Sequence, residues 1–278
     1  MIRLKDLTPT DLAEAAVANL VAHAAWVQRR TPGMHVVDAH DLVLVDSGLP
    51  CDTFNIVCRA RLARGTARER IADVVDYFAR VGRPFSWWLS PLDQPSELGE
   101  LLLDAGLQRA ETELGMAADL DTLRAGGLSP GGLQIRRART PAEVKDFATI
   151  IAANWTPPDP NALRFYELGA PALLDENAPL WLYVGYLGEV PVAAAELTVG
   201  GGVVGLYNIS TLAAYRRRGF GTALTLRLLL DARAQGYGLA ILQAQGSDGV
   251  GVYARLGFEP FGEITEYKPG NYAAGTDT

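Results

Sequence analysis

Apolar residues recur with helical spacing at Leu12, Ala15, Ala16, Leu20, Val21, Ala24 and Val27, so the pattern predicts an amphipathic helix near the start of the chain. Thr8-Pro9-Thr10-Asp11 precedes it with a hydroxyl cap, a proline whose missing N–H is not needed in the first turn, and an early acid. That helix should stop before Thr31-Pro32-Gly33, and Ile2-Arg3-Leu4 ahead of it is expected to be a short edge strand. Strand-like alternation then takes over. Residues 35–48 predict two short strands and a turn, and residues 53–61 a third strand. Helical spacing returns over 66–79 through Ile71, Val74, Val75 and Phe78. In the strand predicted over 84–89, Trp87 and Trp88 must face opposite sides, one into the core and the other free to line a pocket. Residues 96–105 predict a helix stopped by Gly106, and 112–118 a last strand.

The pattern breaks at residues 120–132, where glycines, a proline and a serine mark a linker. The expected division is a first domain over 1–124, a linker over 125–132 and a second domain over 133–278. Beyond the break the elements return in the same order. Thr140-Pro141-Ala142-Glu143 repeats the earlier helix start, about 130 residues on. Tyr207-Asn208-Ile209 matches Phe54-Asn55-Ile56, and Tyr253-Ala254-Arg255-Leu256-Gly257-Phe258 matches the segment from Leu102 to Leu107, each about 150 residues on. Three ordered matches predict a duplicated domain. The change in offset puts about 20 extra residues before the central strand of the second half. They include the proline-rich stretch 154–161, which suits either a loop over a binding site or a solvent loop between helices. A three-strand meander follows, over 180–186, 191–199 and a third strand ending at Thr211.

The meander runs into Arg216-Arg217-Arg218-Gly219-Phe220-Gly221-Thr222, and a long apolar helix begins at once, ending near Gln235-Gly236. A strand that turns through glycines into a helix N-terminus presents several N–H groups without intrahelical partners, backed by the positive end of the helix dipole. Gly219 and Gly221 carry no side chain where an anion would approach the backbone, so a phosphate or pyrophosphate is the expected ligand. The stretch lacks the Lys-Ser/Thr ending of a P-loop and the three-glycine dinucleotide fingerprint. A plain basic turn before a core helix would have the same local sequence.

Composition narrows the class. The 278 residues leave room for two ordinary domains, and 49% apolar content suffices for a substantial core. A net charge of −7 argues against nucleic acid or an anionic membrane as partner and tilts towards a cationic or neutral one. Cys51 and Cys58 form neither a Cys-x-x-Cys motif nor a disulfide framework, so a reducing cytoplasm is the simplest setting. No signal core follows the N-terminus and no long apolar run occurs, so a soluble, unprocessed chain is expected. His23, His35 and His40 are not spaced as metal ligands; they are expected to be surface or hydrogen-bonded structural residues, with no metal site.

Arg216-x-x-Gly219-x-Gly221 followed about 35 residues later by Tyr-x-x-Leu-Gly-Phe at Tyr253–Phe258 resembles the signature of the GNAT superfamily of acyl-CoA N-acyltransferases. The resemblance covers roughly residues 133–268 and, more weakly, the first half. It implies an α+β fold of two GNAT-like domains, each a mixed, mostly antiparallel sheet flanked by helices, with a degenerate N-terminal copy. It further implies acetyl-CoA as cosubstrate, its pyrophosphate on the amides of Arg217, Arg218, Gly219, Phe220, Gly221 and Thr222 beside Arg216, and its pantetheine paired with Ile209, Ser210 and Thr211. The N–H of Ile209 would stabilise the developing oxyanion, and Tyr253 would protonate the departing thiolate. The central strand offers Asn208 and Ser210 but no acid. Glu196 on the preceding strand is then the nearest candidate base, with Asn208 positioning a water. In the first half, Ala63, Thr66, Arg68 and Leu102 stand where the motif needs Arg, Gly, Gly and Tyr, so that copy should pack against the active one and shape the acceptor pocket. The expected activity is acetyl transfer to an amine of a small molecule. A non-catalytic acyl-CoA-binding regulatory module is the competing expectation, motivated by the missing carboxylate.

Overall fold

Thr8 accepts the N–H of Asp11, and the Asp11 carboxylate accepts the N–H of Thr8, so a reciprocal cap starts helix α1 (Pro9–Ala25) where the sequence places it. The computed structural model describes residues 3–123 and 130–270, and residues 125–129 of the expected linker lie outside the described residues. Ile2 does too, and the edge strand expected at its side is not formed. Leu4–Asp6 is instead a 3-10 turn, because the N–H groups of Asp6 and Leu7 find acceptors locally, on Arg3 and Leu4.

The first half continues through β1 (His35–Asp38), β2 (Val43–Asp46), β3 (Ile56–Cys58), α2 (Ala67–Val81), β4 (Ser86–Leu89), α3 (Leu98–Asp104) and β5 (Leu107–Asp119). Strand β3 is shorter than the alternation predicts. The buried Asn55 side chain just before it accepts from the N–H of Ser47 and donates to the carbonyls of Leu49 and Pro84, satisfying loop backbone that a longer strand would have paired. The second half comprises β6 (Leu133–Arg137), α4 (Pro141–Ala152), α5 (Pro160–Leu173), β7 (Leu180–Leu187), β8 (Val190–Gly200), β9 (Val203–Thr211), α6 (Phe220–Ala234), β10 (Leu239–Ala244), α7 (Gly246–Leu256) and β11 (Glu259–Pro269). Helix α4 opens with the same reciprocal cap, between Thr140 and Glu143.

The strands form one eleven-stranded sheet in the order β1-β2-β3-β4-β11-β5-β10-β9-β8-β7-β6. Each half follows the same rule, an antiparallel run that ends on a parallel pair, β3 with β4 and β9 with β10. The closing strands are exchanged. β5 pairs with β10 of the second half, β11 pairs with β4 of the first, and β5 and β11 pair antiparallel with each other at the centre. The chain is therefore α+β, with two similar halves fused through a mixed, mostly antiparallel sheet.

Helix α1 crosses the seam as well, packing on β8 and β9. Asn19, fully buried, donates to the carbonyls of Thr198 (3.0 Å) and Gly200 (3.1 Å). The approach is close enough that a Cβ on Gly205 would collide with Asn19 Oδ1, so only glycine fits beneath the helix there. The hydrophobic core is shared too: Phe54 stacks on Phe165 at 3.9 Å between ring centroids. Among the described residues no helix is long and apolar enough to cross a membrane.

Candidate functional site

The parallel ladder of β9 and β10 pairs Val204 with Ala240, Gly205 with Ile241 and Leu206 with Leu242, and stops there although both strands run on. One residue further, β9 bulges against β8. Asn208 and Ile209 together oppose Ala195, between the pairs Glu196–Tyr207 and Ala194–Ser210, and Asn208 takes φ of 52°. Asparagine is among the few residues that tolerate this left-handed conformation, so the bulge is written into the sequence at that position. It turns β9 away from β10, and a cavity of about 350 Å³ opens where the strands part.

Both halves line that cavity. From the second come Tyr207, Asn208, Ile209, Gln243 and Tyr253, and from the first Leu20, His23, Trp88, Glu111 and Glu113, with Glu266 and Lys268 of β11 beside them. Strand alternation selects these residues. Glu111 and Glu113 lie two apart on β5, Glu266 and Lys268 two apart on β11, and Trp88 pairs with Glu266. Trp87, one position away, pairs with Tyr267 and is buried in the core on the opposite face. The two tryptophans divide as the alternation requires.

The wall is acidic and its carboxyls interact. Burial, then Glu111, then Glu266 push the Glu113 carboxyl up to about 7. Burial also raises the carboxyl of Glu266, against the opposing pull of Lys268 and a hydrogen bond from Ser86. Lys268 binds Asp52 at 3.1 Å and Glu266 at 3.3 Å and is held charged by both despite its burial. Burial and the charge of Glu113 push the Tyr253 phenol up to about 12, so it holds its proton at neutral pH.

Glu196 does not line the cavity. It is 1% exposed and enclosed by donors: Thr198 Oγ1 at 2.8 Å and His23 Nδ1 at 2.7 Å on Oε1, and Asn208 Nδ2 at 3.1 Å on Oε2. Burial alone would raise its carboxyl, but His23 and these hydrogen bonds hold it below the usual range. It reaches the cavity through two residues that do line it, His23 and Asn208. Sequence reasoning set His23 aside as structural. The available signal was its place on α1, where the polar residues Asn19 and His23 fall on the same buried stripe as Leu12, Ala16 and Leu20.

At the far end of β9, Ser210 donates to Asn154 Oδ1 (2.7 Å), which ties the strand to the proline-rich stretch. That stretch is anchored on the first half, where Cys51 donates to Asp159 and Asn161 to the carbonyl of Pro50. It is a bridge between the halves, and none of its residues lines the cavity. Gly219, at φ of 80°, caps α6, and Arg216, Arg217 and Arg218 are exposed before it. Arg216 donates to the carbonyl of Thr211, binding the turn to the end of β9. A Cβ on Gly221 would have only Thr211 Oγ1 nearby, at 3.9 Å, so the helix is open beside that residue. Such an N-terminus fits a pyrophosphate. The corresponding helix α2 begins with Ala67, Arg68 and Glu69, Arg68 is turned onto Asp104 (2.8 Å), and Leu102 is packed in the core. Among the described residues no group of His, Cys, Asp or Glu is arranged to hold a metal ion.

A parted parallel strand pair, a bulge at the parting, and a glycine-capped helix after it frame the cavity. Residues 118–242 match the family model described as the acetyltransferase (GNAT) domain. That stretch is identified as a GNAT domain, and the strand order on the two sides of the β5–β11 pair repeats one fold. Among solved structures it is similar to a GCN5-related N-acetyltransferase from Kribbella flavida, with 21% identity, a TM-score of 0.68, and 92% of this chain and 96% of that one covered. It is also similar to a functionally unknown conserved protein from Staphylococcus epidermidis (14%, TM-score 0.63, 85% and 93%). A tandem GNAT protein from the clavulanic acid biosynthesis pathway aligns over 94% of this chain and 96% of its own, with 16% identity and a TM-score of 0.58. These identities speak to the fold. No curated protein sequence matches the chain.

Proposed function

We propose that the chain transfers an acetyl group from acetyl-CoA to the amine of a small cationic molecule. The observation that carries this reading is the convergence, in one cavity at the parting of β9 and β10, of the Asn208-Ile209 bulge, Tyr253 and the acidic wall of Glu111 and Glu113. Acetyl-CoA supplies an activated thioester. The first amides of α6 bind its pyrophosphate, and the free edge of β9 over Ile209, Ser210 and Thr211 pairs with the pantetheine arm. The N–H of Ile209, at the bulge, faces the carbonyl oxygen that becomes negative as the amine attacks. Tyr253 holds a proton that it gives to the departing sulfur. Glu111 and Glu113 hold the acceptor's positive charge and orient it.

The test is thiol release from acetyl-CoA across a panel of small amines, beside a direct measurement of acetyl-CoA binding. Turnover with cationic amines and little with anionic ones is the expected result. Binding without turnover across the whole panel would make the chain an acyl-CoA-binding regulatory module instead.

A further inference from the structure

We propose that His23, held by Glu196, is the general base that takes the proton from the acceptor amine, so that the first half completes the transfer site of the second. The proposal rests on the transferase reading above. His23 lines the cavity, and its Nδ1 meets Glu196 Oε1 at 2.7 Å. The other neighbours of that carboxylate, Thr198 Oγ1 and Asn208 Nδ2, are donors to it. A carboxylate that only accepts requires the hydrogen of the neutral imidazole on Nδ1, which leaves the lone pair on Nε2. Nε2 makes no hydrogen bond among the described residues.

The ring is also fixed in plane. It stacks on Tyr207 with centroids 3.8 Å apart and planes at 4°, and Tyr207 donates to Asn19 Oδ1 at 2.9 Å. Tyr207 and Asn208, which hold the ring and the carboxylate, are the two residues immediately before Ile209. The bulge therefore registers the base against the oxyanion donor. Glu113 is another carboxyl of the wall, but no hydrogen bond orients it among the described residues, and its neighbours Glu111 and Glu266 suit it to holding a cation.

The step balances without a further reactant. His23 Nε2 takes one proton from the ammonium and passes it to solvent. The freed lone pair forms the C–N bond, the C–S bond breaks with its electron pair on sulfur, Tyr253 protonates the sulfur, and the second proton shed by nitrogen restores Tyr253.

The experiment compares acceptors that differ in needing a base. Near neutral pH butylamine and diaminobutane are protonated, whereas hydroxylamine is already neutral. With acetyl-CoA as donor, His23→Gln should lower thiol release to the alkylamines about 100-fold and leave release to hydroxylamine within about threefold. Acetyl-CoA affinity should not change. Glu196→Gln, as the positioning residue, should show the same selective loss in kcat with KM little altered. Equal loss on both acceptor types, or none on either, overturns the base assignment, and a selective loss in Glu113→Gln alone moves the role there. A parent protein that binds acetyl-CoA but is silent with both acceptor types overturns the transferase reading and the base with it. Nitrogen NMR of the His23 ring tests the geometry without any activity: hydrogen on Nδ1 is expected, and hydrogen on Nε2 overturns the proposal even in an active enzyme.

Discussion

His23 and Glu196 are 173 residues apart in the chain and 2.7 Å apart in space. Their contact exists because α1, the first helix of the first half, lies across β8 and β9 of the second. A carboxylate as buried as Glu196 needs donors on both oxygens, and one of its three comes from the other half of the chain. The two halves are thus coupled by this buried hydrogen bond as well as by the exchanged strands β5 and β11.

The union of the halves also depends on Asn19, which bonds backbone carbonyls of β8 and the Tyr207 hydroxyl from the middle of α1. Asn19→Ala leaves buried acceptors unpaired and should destabilise the protein by about 1–3 kcal/mol. Chemical denaturation checks this. A midpoint unchanged from the parent would mean that α1 docks by its apolar stripe alone.

Gly221→Asp places a carboxylate in the first turn of α6, where a Cβ would have only Thr211 Oγ1 nearby. Calorimetric titration should show acetyl-CoA affinity reduced by at least about 100-fold with the fold intact by circular dichroism, since the substitution combines crowding with repulsion of phosphate. Retained affinity would place the pyrophosphate elsewhere.

Tyr253→Phe removes the proposed proton donor and little volume. Turnover should fall on the order of 100-fold while acetyl-CoA affinity stays near that of the parent. An unchanged rate would take Tyr253 out of the chemistry and leave it as a packing residue against Phe258.

Glu113 has a pH signature of its own. Its carboxyl titrates at about 7 against an ordinary 4.5, chiefly through burial. The folded protein therefore holds this proton more tightly than the unfolded chain, a stabilisation that is full below pH 4.5 and is lost as pH rises through about 7. Thermal melts between about pH 5 and 8 should show Glu113→Gln losing less stability than the parent over that range. Parallel curves would mean that Glu113 is better solvated than its surroundings indicate.

The elements themselves were legible in the sequence because their causes are local. The Thr8 and Thr140 caps, the alternation that separates Trp87 from Trp88, and the glycines before α6 act within a few residues of where they are read. The repeated order of these signals made the α+β fold and its duplication visible, and the spacing from Gly221 to Tyr253 pointed to the GNAT superfamily. Where local hydrogen bonds competed, as at Leu4–Asp6 and around Asn55, alternation alone overextended the strands.

Only the tertiary structure decided which strands share an edge and which side chains meet in the cavity. Pairing between β5 and β10, or β11 and β4, depends on backbone groups that every residue carries, so no residue type announces it. The same holds for His23. On α1 it is one polar residue in an apolar stripe, and it becomes a candidate base only when the crossing of α1 over β8 brings a buried carboxylate to its Nδ1. Sequence alone determined the parts and the glycine turn before α6; the docking of the halves, set by long-range packing and hydrogen bonding, determined which side chains line the cavity.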